Sequence, residues 1–352
     1  MAGNSIGVSY RITTFGESHG LSVGVIIDGV PPGIELQEQD IQVEMNRRKP
    51  GQSAVTTPRK EGDKVSIVSG LFEGKTTGTP LTIILHNKDA DSGAYSNIKD
   101  FFRPGHADYT YHHKYGIRDY RGSGRASGRE TAGRVAAGAV AKKILEAYGI
   151  KITAFTLEAA GIRCESIDLS IIEDNPMRAA DAAAAWKMTE KVTELADIGD
   201  SAGGIVQCII SGVPAGLGEP VFDKIDADLA KAIISIGGVK GIEFGTGFGA
   251  AAMRGSEHND QMDKKGFKTN NAGGILGGIS TGADIVFRAA VKPTSSIEHT
   301  QQTIDIDGNE TEISTTGRHD PCLTPRIVPV IESMAAIVIV DHVQRHRSQV
   351  SG

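Results

Sequence analysis

The sequence of 352 residues predicts a globular protein of the α+β class. Strand-like and helix-like segments both occur, but they do not alternate strictly as they do around a parallel sheet. The hydrophobic content of 39% is sufficient for a substantial core. Because no Ser/Pro-rich linker or charge block divides the chain, we predict a single domain spanning residues 1–352.

A weak internal repeat is the second feature of the organisation. V-G-V-I-I-D-G-V-P-P-G at 23–33 is echoed by V-Q-C-I-I-S-G-V-P-A-G at 206–216, and helical-looking segments follow at 38–48 and 222–235. Each unit predicts a strand, a Gly/Pro turn and a helix. A pseudo-twofold pair of similar halves would explain the repeat, and chance similarity of two strand-turn units explains it equally well.

The remaining elements follow from local patterns. Runs rich in Val, Ile and Thr predict strands at 64–70, 79–86, 151–161 and 282–291. Asn175 and Pro176 predict the start of a helix that runs to about Leu195. The last helix, from about Pro329 to Gln349, is apolar nearly all round and should be buried or lie at a subunit interface. Two long irregular segments, 87–126 and 244–274, have the length typical of functional loops.

Composition excludes several classes of protein. Lys plus Arg is 37 and Asp plus Glu is 43, a net charge of −6, which disfavours a general nucleic-acid or membrane-surface binder. Three widely spaced cysteines indicate neither a disulfide framework nor a zinc site, so a reducing cytoplasm fits best. The N-terminus lacks a signal-peptide pattern, and no apolar run is expected to span a bilayer. No motif predicts a metal centre.

The stretch R-G-S-G-R-A-S-G-R-E-T-A-G-R at 121–134 concentrates positive charge in this acidic chain. Ser127 and Glu130 match a capping box, and an apolar stripe follows at helical spacing up to a terminal Gly149. The segment is therefore predicted to be a glycine-rich loop that enters a helix N-terminus, where unpaired N–H groups attract anions. Arg125 and Arg129 repel each other there, so a negative group should compensate them.

A phosphate site is the favoured interpretation of this loop. Residues 103–134 contain seven Lys/Arg against three Asp/Glu. A solvated basic face is the ordinary explanation for such a run, but the glycines, the cap and the long loop together favour an anion site. The stretch does not match a dinucleotide-binding fingerprint, and G-L-F-E-G-K-T at 70–76 is one residue short of a P-loop.

Two histidine segments and three further motifs carry a family resemblance. F-G-E-S-H-G at 15–20 and F-R-P-G-H-A-D-Y at 102–109 place histidines in glycine-rich backbone suited to close ligand approach, although a lone histidine is more often structural. With R-A-S-G-R-E-T at 125–131, K-P-T-S-S at 292–296 and G-R-H-D-P-C at 317–322, they resemble the signature segments of the chorismate synthase family. The resemblance keeps the family's order and spacing over essentially the whole chain.

The resemblance implies a β-α-β sandwich, two antiparallel sheets enclosing helices, assembled as a homotetramer. It implies conversion of 5-enolpyruvylshikimate 3-phosphate to chorismate and phosphate by a 1,4-anti elimination. Reduced FMN would be required although no net oxidation occurs. Substrate and flavin both carry phosphate, and the substrate adds two carboxylates, so clustered arginines would have several anions to hold.

The family roles transfer by matching motifs. His19 would be the acid near the departing phosphate, His106 would protonate or balance the reduced flavin, and Asp320 would assist proton removal at flavin N5. The predicted FMN-contact residues are Arg125, Ala126, Ser127, Val239, Lys240, Gly278, Lys292, Pro293, Thr294, Ser295, Ser296 and Arg318. The predicted substrate-anion ligands are Arg48, Arg129 and Arg134.

Departures from the family pattern concern the flavin and its reduction. Relatives commonly have serine at the position of Ala126 and alanine at that of Gly128, so one hydroxyl contact is missing here. Many have arginine at the position of Ala54, which argues against a built-in NADPH site. NADPH would then serve only in flavin reduction, and a separate flavin reductase would be a partner.

Two other classes of function remain as alternatives. An FMN-dependent oxidoreductase acting on a phosphorylated substrate would use the same loop but need a hydride-donor site. A non-enzymatic anion or RNA-binding protein is disfavoured by the 5% aromatic content and the negative net charge.

Overall fold

Two five-stranded antiparallel sheets enclose the main helices. The computed structural model describes residues 3–51, 62–88, 98–315 and 319–350. The helices are α1 (Glu38–Arg48), α2 (Asp108–Tyr115), α3 (Thr131–Glu146), α4 (Ala182–Asp197), α5 (Ile225–Ile234), α6 (Gly255–His258) and α7 (Thr324–Gln349). The first sheet contains β1 (Ser5–Ile6), β2 (Arg11–Gly16), β3 (Ser22–Asp28), β4 (Val65–Ser69) and β7 (Leu81–His86).

The second sheet and the hairpins complete the set of strands. The second sheet contains β8 (Lys151–Ala159), β9 (Ile162–Arg163), β10 (Gly204–Ser211), β11 (Val239–Phe244) and β16 (Ile285–Val291). Four two-stranded hairpins pair β5 (Leu71–Phe72) with β6 (Lys75–Thr76), β12 (Met262–Asp263) with β13 (Gly266–Phe267), β14 (Ile275–Leu276) with β15 (Ile279–Ser280), and β17 (Gln301–Ile304) with β18 (Glu310–Ile313). The hairpin β12–β13 and helix α6 lie within the segment 244–274, and helix α2 lies within the segment 87–126, although both segments were expected to be irregular.

The two strands of the sequence repeat occupy equivalent places. The sheet orders are β1-β2-β3-β7-β4 and β11-β16-β10-β8-β9, so β3 and β10 are each the middle strand. Helices α1 and α5 follow them after Pro/Gly turns, as predicted. This common position favours the interpretation of two similar halves over chance similarity. The predicted α+β class, with antiparallel sheets enclosing helices, is confirmed.

Helices α3 and α7 pack against each other between the sheets. Helix α3 contacts β2, β3 and β7 of the first sheet, and α7 contacts β8 and β10 of the second. Gly138 makes the close approach of the two helices possible, since an added Cβ would lie 2.2 Å from the Cβ of Ser333. The alternation of buried Val23, Val25 and Ile27 along β3 supplies one wall of this core.

Helix α7 begins at Thr324, five residues before the predicted start at Pro329. Pro329 cannot donate to the carbonyl of Pro325, four residues earlier. That carbonyl instead accepts a hydrogen bond of 2.6 Å from Arg178 Nη1, so the helix continues through the proline. The expectation that no apolar run could span a bilayer was wrong, because this helix is long enough and apolar enough to do so. However, 94% of its most apolar 18-residue window is buried inside the protein.

Helix α4 begins at Ala182, so the predicted start at Asn175 and Pro176 was wrong. The Asn175 side chain closes a loop by donating to the carbonyls of Ile171 and Ala179. Asp181 is the actual N-cap, because its Oδ1 accepts from the backbone N–H groups of Ala183 and Ala184. The helix therefore begins after Asp181, whose carboxylate satisfies N–H groups of the first turn, and not at the asparagine-proline pair.

A buried ion-pair network joins α1, α3, α7 and β8. The carboxylate of Glu332, 3% exposed, accepts from Arg47 Nη1 at 2.5 Å and from Lys142 Nζ at 2.7 Å. It also accepts from the backbone N–H of Ala154 at 2.9 Å. Burial raises the pKa of Glu332, but Lys142 and Arg47 outweigh burial and hold it at about 2. The carboxylate is therefore ionised and anchors three helices to the second sheet.

Candidate active site

A cavity of about 800 Å³ lies where the N-termini of α3 and α7 meet the loops 103–107, 122–130 and 292–296. Most of the residues predicted for the site line this one cavity. They are His19, Arg48, His106, Arg125, Ala126, Ser127, Arg129, Arg134, Lys240, Lys292, Pro293, Thr294, Ser295, Ser296 and Asp320. Segments more than 250 residues apart in sequence therefore converge on one space.

Three predicted residues do not belong to the described lining. Val239 is buried in β11, one residue before the cavity-lining Lys240. Gly278 lies in the turn of hairpin β14–β15, where an added Cβ would be 2.2 Å from Lys224 Cγ. Arg318 lies outside the described residues, as does Ala54. Flavin contacts of these residues stay predictions.

The glycine-rich loop reaches helix α3 through two short 3₁₀ segments. Ser127 acts as the N-cap of residues 128–130, with its hydroxyl accepting from the backbone N–H of Arg129 at 3.2 Å. The reciprocal half of the predicted capping box is absent among the described contacts. Glu130 instead accepts from Thr14 Oγ1 and from Arg134 Nε, both at 2.8 Å. The loop is thus fixed to β2 by side chains rather than by the reciprocal cap.

Arg125 and Arg134 are held by protein groups at opposite edges of the loop. Arg125 donates to the carbonyls of Gly16 and Thr14, both at 3.2 Å, which ties the loop to β2. Arg134 pairs with Glu130 and donates to Ser235 Oγ of the α5 end at 2.6 Å. The negative groups expected to compensate Arg125 and Arg129 are partly supplied by the chain itself, because Arg125 Nη2 lies 3.8 Å from Glu130 Oε1 and Arg129 pairs with Asp63.

Arg48 and Arg129 share one buried carboxylate, that of Asp63. Arg48 Nη2 lies 2.5 Å from Asp63 Oδ2, and Arg129 Nη1 pairs with Asp63 Oδ1. Burial raises the pKa of Asp63, but the two guanidinium groups outweigh burial and hold it below its usual range. Burial lowers the pKa of Arg48, and the nearby charges of Arg326 and Arg129 act in the same direction. Two guanidinium groups thus share the Asp63 carboxylate, and the charge of Arg326 acts on Arg48 from nearby.

The arginine cluster Arg48, Arg129 and Arg326 has unused hydrogen-bonding capacity. Among the described residues, Arg48 Nε, Arg129 Nη2 and Arg326 Nε are buried and have no hydrogen-bond partner. Arg326 also pairs through Nη1 with Asp320 Oδ2. Buried N–H donors without a partner are costly unless a ligand satisfies them. The cluster therefore fits an anion with several oxygen atoms, such as a phosphate or a carboxylate.

His106 is enclosed by polar groups on one side of the cavity. Its Nδ1 lies 3.1 Å from Asp108 Oδ1, and its Nε2 lies 3.4 Å from Ser123 Oγ. Burial lowers the pKa of His106, with Arg103 and Lys292 acting in the same direction and Asp108 opposing them. The ring is therefore neutral near pH 7 in the absence of an anionic ligand, whose arrival would favour protonation.

His19 lies against the glycine-rich loop. Gly122 has a φ of +59°, and an added Cβ there would be 2.0 Å from His19 Cε1. The loop that carries His19 is held by Asn87 Nδ2, which donates to the carbonyls of Glu17 at 3.0 Å and Gly20 at 2.8 Å. Asn87 Oδ1 accepts from Arg129 Nε at 2.8 Å, so Asn87 links the loop of His19 to the arginine cluster through hydrogen bonds.

Substitution of Gly122 by alanine should displace the His19 ring. We expect a loss of about 10- to 100-fold in kcat, since misplacing a reacting group by about 1 Å can cost this much. Gly116→Ala is the matched control, because Gly116 also has a positive φ but no atom within 4 Å of its added Cβ. Equal kinetic losses in both variants would show that backbone strain, not the His19 contact, is responsible.

A third histidine, His319, lines the cavity beside Asp320. Burial lowers its pKa from 6.5 to about 4, and the charge of Arg103 acts in the same direction. As the pH falls below 6.5, the unfolded chain therefore binds a proton that the folded chain does not. The contribution of neutral His319 to stability is complete above pH 6.5 and is lost as the pH falls towards 4.

Removal of His319 should flatten the pH dependence of stability. Between pH 6.5 and 4 this residue should lower the free energy of unfolding by up to about 3 kcal/mol. Urea unfolding of the wild type and His319→Gln over this range measures the difference in slope. His86→Gln, at an exposed position outside the cavity, serves as control. Parallel curves for wild type and His319→Gln would contradict the prediction.

The residues present also fit a phosphate-bearing cofactor beside Lys240 and Lys292. Burial lowers the pKa of Lys292, and the charge of Lys240 acts in the same direction. Lys292 Nζ donates to the carbonyl of Gly105 at 2.8 Å, which keeps it at the cavity wall. An anion between the two lysines would relieve their repulsion. Among the described residues no group of three metal-ligating side chains could hold a metal ion.

Sequence reasoning missed several residues of the site. They are Asp63, Arg103, Asp108, Ser123, His319 and Arg326. Arg103 and Asp108 stand in the motif that contains His106, so their place beside a candidate histidine was a usable signal. Asp63 and Arg326 gave no signal, because only the fold brings them to the other arginines.

Comparisons with known proteins find relatives of a single family over nearly the whole chain. A family model described as chorismate synthase matches residues 10–344. The chain is 58% identical to a chorismate synthase of Methanosarcina mazei, covering 98% of this chain and 97% of the relative, and 56% identical, with the same coverage, to one of Methanosarcina acetivorans. A crystal structure of chorismate synthase superposes with a TM-score of 0.78 at 30% identity, covering 97% of this chain and 93% of that structure.

Proposed function

We propose that this chain, which belongs to the chorismate synthase family of carbon–oxygen lyases in the shikimate pathway, converts 5-enolpyruvylshikimate 3-phosphate to chorismate. The proposed reaction requires reduced FMN. The observation that carries the proposal is the convergence of the arginine cluster and two histidines on one cavity. The substrate has one phosphate and two carboxylates, which suit the unused donors of Arg48, Arg129 and Arg326.

The arginine cluster would stabilise the charge that develops on the departing phosphate. In the elimination the bond from C3 to the phosphate oxygen breaks, a proton leaves C6, and a second ring double bond forms, so there is no net oxidation. Guanidinium groups already fixed by Asp63 and Asp320 need little reorganisation when this charge appears. His19, on the loop tied to Arg129 through Asn87, would donate a proton to the phosphate.

The part of the cavity lined by Lys240 and the 292–296 segment would hold the flavin. FMN would contact Lys240 and the segment Lys292 to Ser296. From the glycine-rich loop it would contact Ser127 and the backbone of Arg125 and Ala126. Reduced FMN, when bound, supplies electron density that relieves the electron deficit in the substrate ring. His106 would balance the negative charge there, because an anion counteracts the effects that lower its pKa.

Asp320 lies where the arginine cluster meets the 292–296 segment. Its carboxylate pairs with Arg326 Nη1, and its backbone carbonyl accepts from Thr294 Oγ1 at 2.7 Å. Asp320 would thus act as a base held beside both the arginine cluster and the 292–296 segment.

Anaerobic turnover with catalytic amounts of chemically reduced FMN tests the proposed function. Chorismate absorbance should rise without matching oxidation of the flavin. The alternative of an FMN-dependent oxidoreductase predicts stoichiometric flavin oxidation or a requirement for a hydride donor. Absence of chorismate from the complete mixture would overturn the proposal.

Assembly and cellular context belong to the same proposal. A single domain acting as a cytoplasmic homotetramer would cover large exposed apolar side chains such as Phe222, which is 90% exposed, and Phe248, which is 85% exposed. NADPH would act only on the flavin, through a separate reductase. Sedimentation of the full chain tests the tetramer, and turnover with FMN and NADPH, with and without an added flavin reductase, tests the separate partner.

A further inference from the structure

A buried carboxylate lies directly behind the ring of His106. Asp108 stands in the first turn of α2 and is 4% exposed. Its Oδ1 is 3.1 Å from His106 Nδ1, and its Oδ2 accepts from Arg103 Nε at 2.7 Å. The Arg103 side chain also reaches Ser123 Oγ at 2.6 Å, on the far side of the histidine. The ring is therefore enclosed between Asp108 and Ser123.

The hydrogen bonds decide which ring nitrogen carries the proton. Arg103 Nη2 has two hydrogens, and acceptors lie at 3.0 Å on Asp108 Oδ1 and at 2.6 Å on Ser123 Oγ. Although His106 Nδ1 lies 3.1 Å from the same Nη2, both hydrogens have better acceptors. Nδ1 must then donate to the carboxylate, because a bare nitrogen would place two lone pairs face to face.

The opposite nitrogen, Nε2, is consequently the acceptor of the neutral ring. Ser123 Oγ already accepts from Arg103, so the serine hydroxyl can donate its own hydrogen towards Nε2 at 3.4 Å. Both residues line the cavity. The nitrogen that faces Ser123 is therefore the one available for proton exchange with a ligand.

Asp108 is itself held in place from several directions. The backbone N–H of Arg103 donates to Oδ2 at 3.2 Å, and Arg118 Nη1 lies 3.3 Å from Oδ1. Burial raises the pKa of Asp108, but hydrogen bonds from His106 and Arg103 outweigh burial and hold it far below its usual range. An ionised, immobile acceptor is what a defined histidine tautomer requires.

We infer that Asp108 is a positioning residue, which holds His106 with the proton on Nδ1 so that Nε2 exchanges the proton during turnover. This role rests on the proposed function, because the histidine matters only if a proton moves in the cavity. It extends the assignment of His106 from a residue to a specific atom. It also gives the aspartate of R-P-G-H-A-D a chemical task that the other residues of the site do not provide.

Removal of the charge should alter both tautomer and pKa. The charged or titratable groups around His106 are Asp108 and Arg103 of its own segment, Lys292 of the facing loop, and His319 beside α7. Of these, Asp108 raises the pKa of His106, whereas Arg103 and Lys292 lower it. Asp108→Asn should therefore lower that pKa further and allow protonation at Nε2.

Solid-state NMR of the full chain labelled with ¹⁵N-histidine, combined with kinetics, tests the inference. His106→Gln assigns the His106 signals. In the wild type near neutral pH, Nδ1 should be protonated and Nε2 unprotonated. In Asp108→Asn the Nε2-protonated form should appear, kcat should fall by about 10- to 100-fold with a smaller change in KM, and the acidic limb of the pH profile should move to lower pH.

Two further variants separate positioning from folding. Asp108→Glu retains a carboxylate and should restore the wild-type tautomer at least in part. Asp119→Asn removes a carboxylate that pairs with Arg121 outside the cavity lining, and should leave tautomer and activity unchanged. The wild-type tautomer is informative whether or not the Asp108 variants fold.

The outcomes are distinct. A wild-type ring protonated at Nε2 would overturn the inference, as would Asp108→Asn with lowered activity but unchanged tautomer and pH profile. If the wild type made no chorismate, the proposed function would fail, while the NMR signals would still decide whether Asp108 fixes the tautomer.

Discussion

Alanine in place of His106 or His19 should lower kcat by about 10²- to 10⁴-fold, the usual contribution of a positioned acid or base. Both rings line the same cavity as the arginine cluster. His19 would lose its proton donation to the phosphate, and His106 its balance of charge beside the flavin. Turnover with chemically reduced FMN measures the effect without depending on a flavin reductase.

The control for these variants is His86→Ala, an exposed histidine at the end of β7 that does not line the cavity. It should retain near-normal turnover. Added imidazole should restore part of the activity of the alanine variants if a missing proton-transfer group is the cause. Near-normal turnover of both His19→Ala and His106→Ala would show that the acid assignments are wrong.

Glu332→Ala should destabilise the protein by about 3–5 kcal/mol, because it leaves buried charges without their partner. Arg47 and Lys142 both point to this carboxylate, and the backbone N–H of Ala154 would lose its acceptor. The three helices that the network joins include α7, whose first turn supplies Arg326 to the cavity. Urea unfolding followed by circular dichroism measures the loss.

Glu173→Ala is the matched control for this prediction. Glu173 pairs with the same Arg47 at 2.7 Å and with Arg178 at 3.2 Å, but its own side chain is 48% exposed. An exposed ion pair contributes about 0–1 kcal/mol, so this variant should be nearly as stable as the wild type. Similar losses in Glu332→Ala and Glu173→Ala would mean that burial does not determine the importance of the carboxylate at 332.

Much of the local structure followed from sequence patterns. Helix α1 at 38–48 has its predicted bounds, and the strands expected at 64–70, 79–86, 151–161 and 282–291 are present with slightly shorter limits. Hydrophobic periodicity succeeds here because each segment buries one face against the core. Helix starts were less predictable: α4 begins at Ala182 because Asp181 supplies the cap, and α7 passes through Pro329 because Arg178 satisfies the freed carbonyl.

The sequence by itself determined the fold class, the family resemblance and most of the predicted site residues that were then found in the cavity, because these depend on local periodicity and on motifs that are contiguous in the chain. Only the tertiary structure decided which partner each charged side chain of the site has. Asp63 joins Arg48 to Arg129, Arg326 joins the cluster from α7, and Arg125 turns instead to the carbonyls of β2. Electrostatic energy depends on distances of a few ångströms between groups far apart in sequence, and folding alone sets those distances.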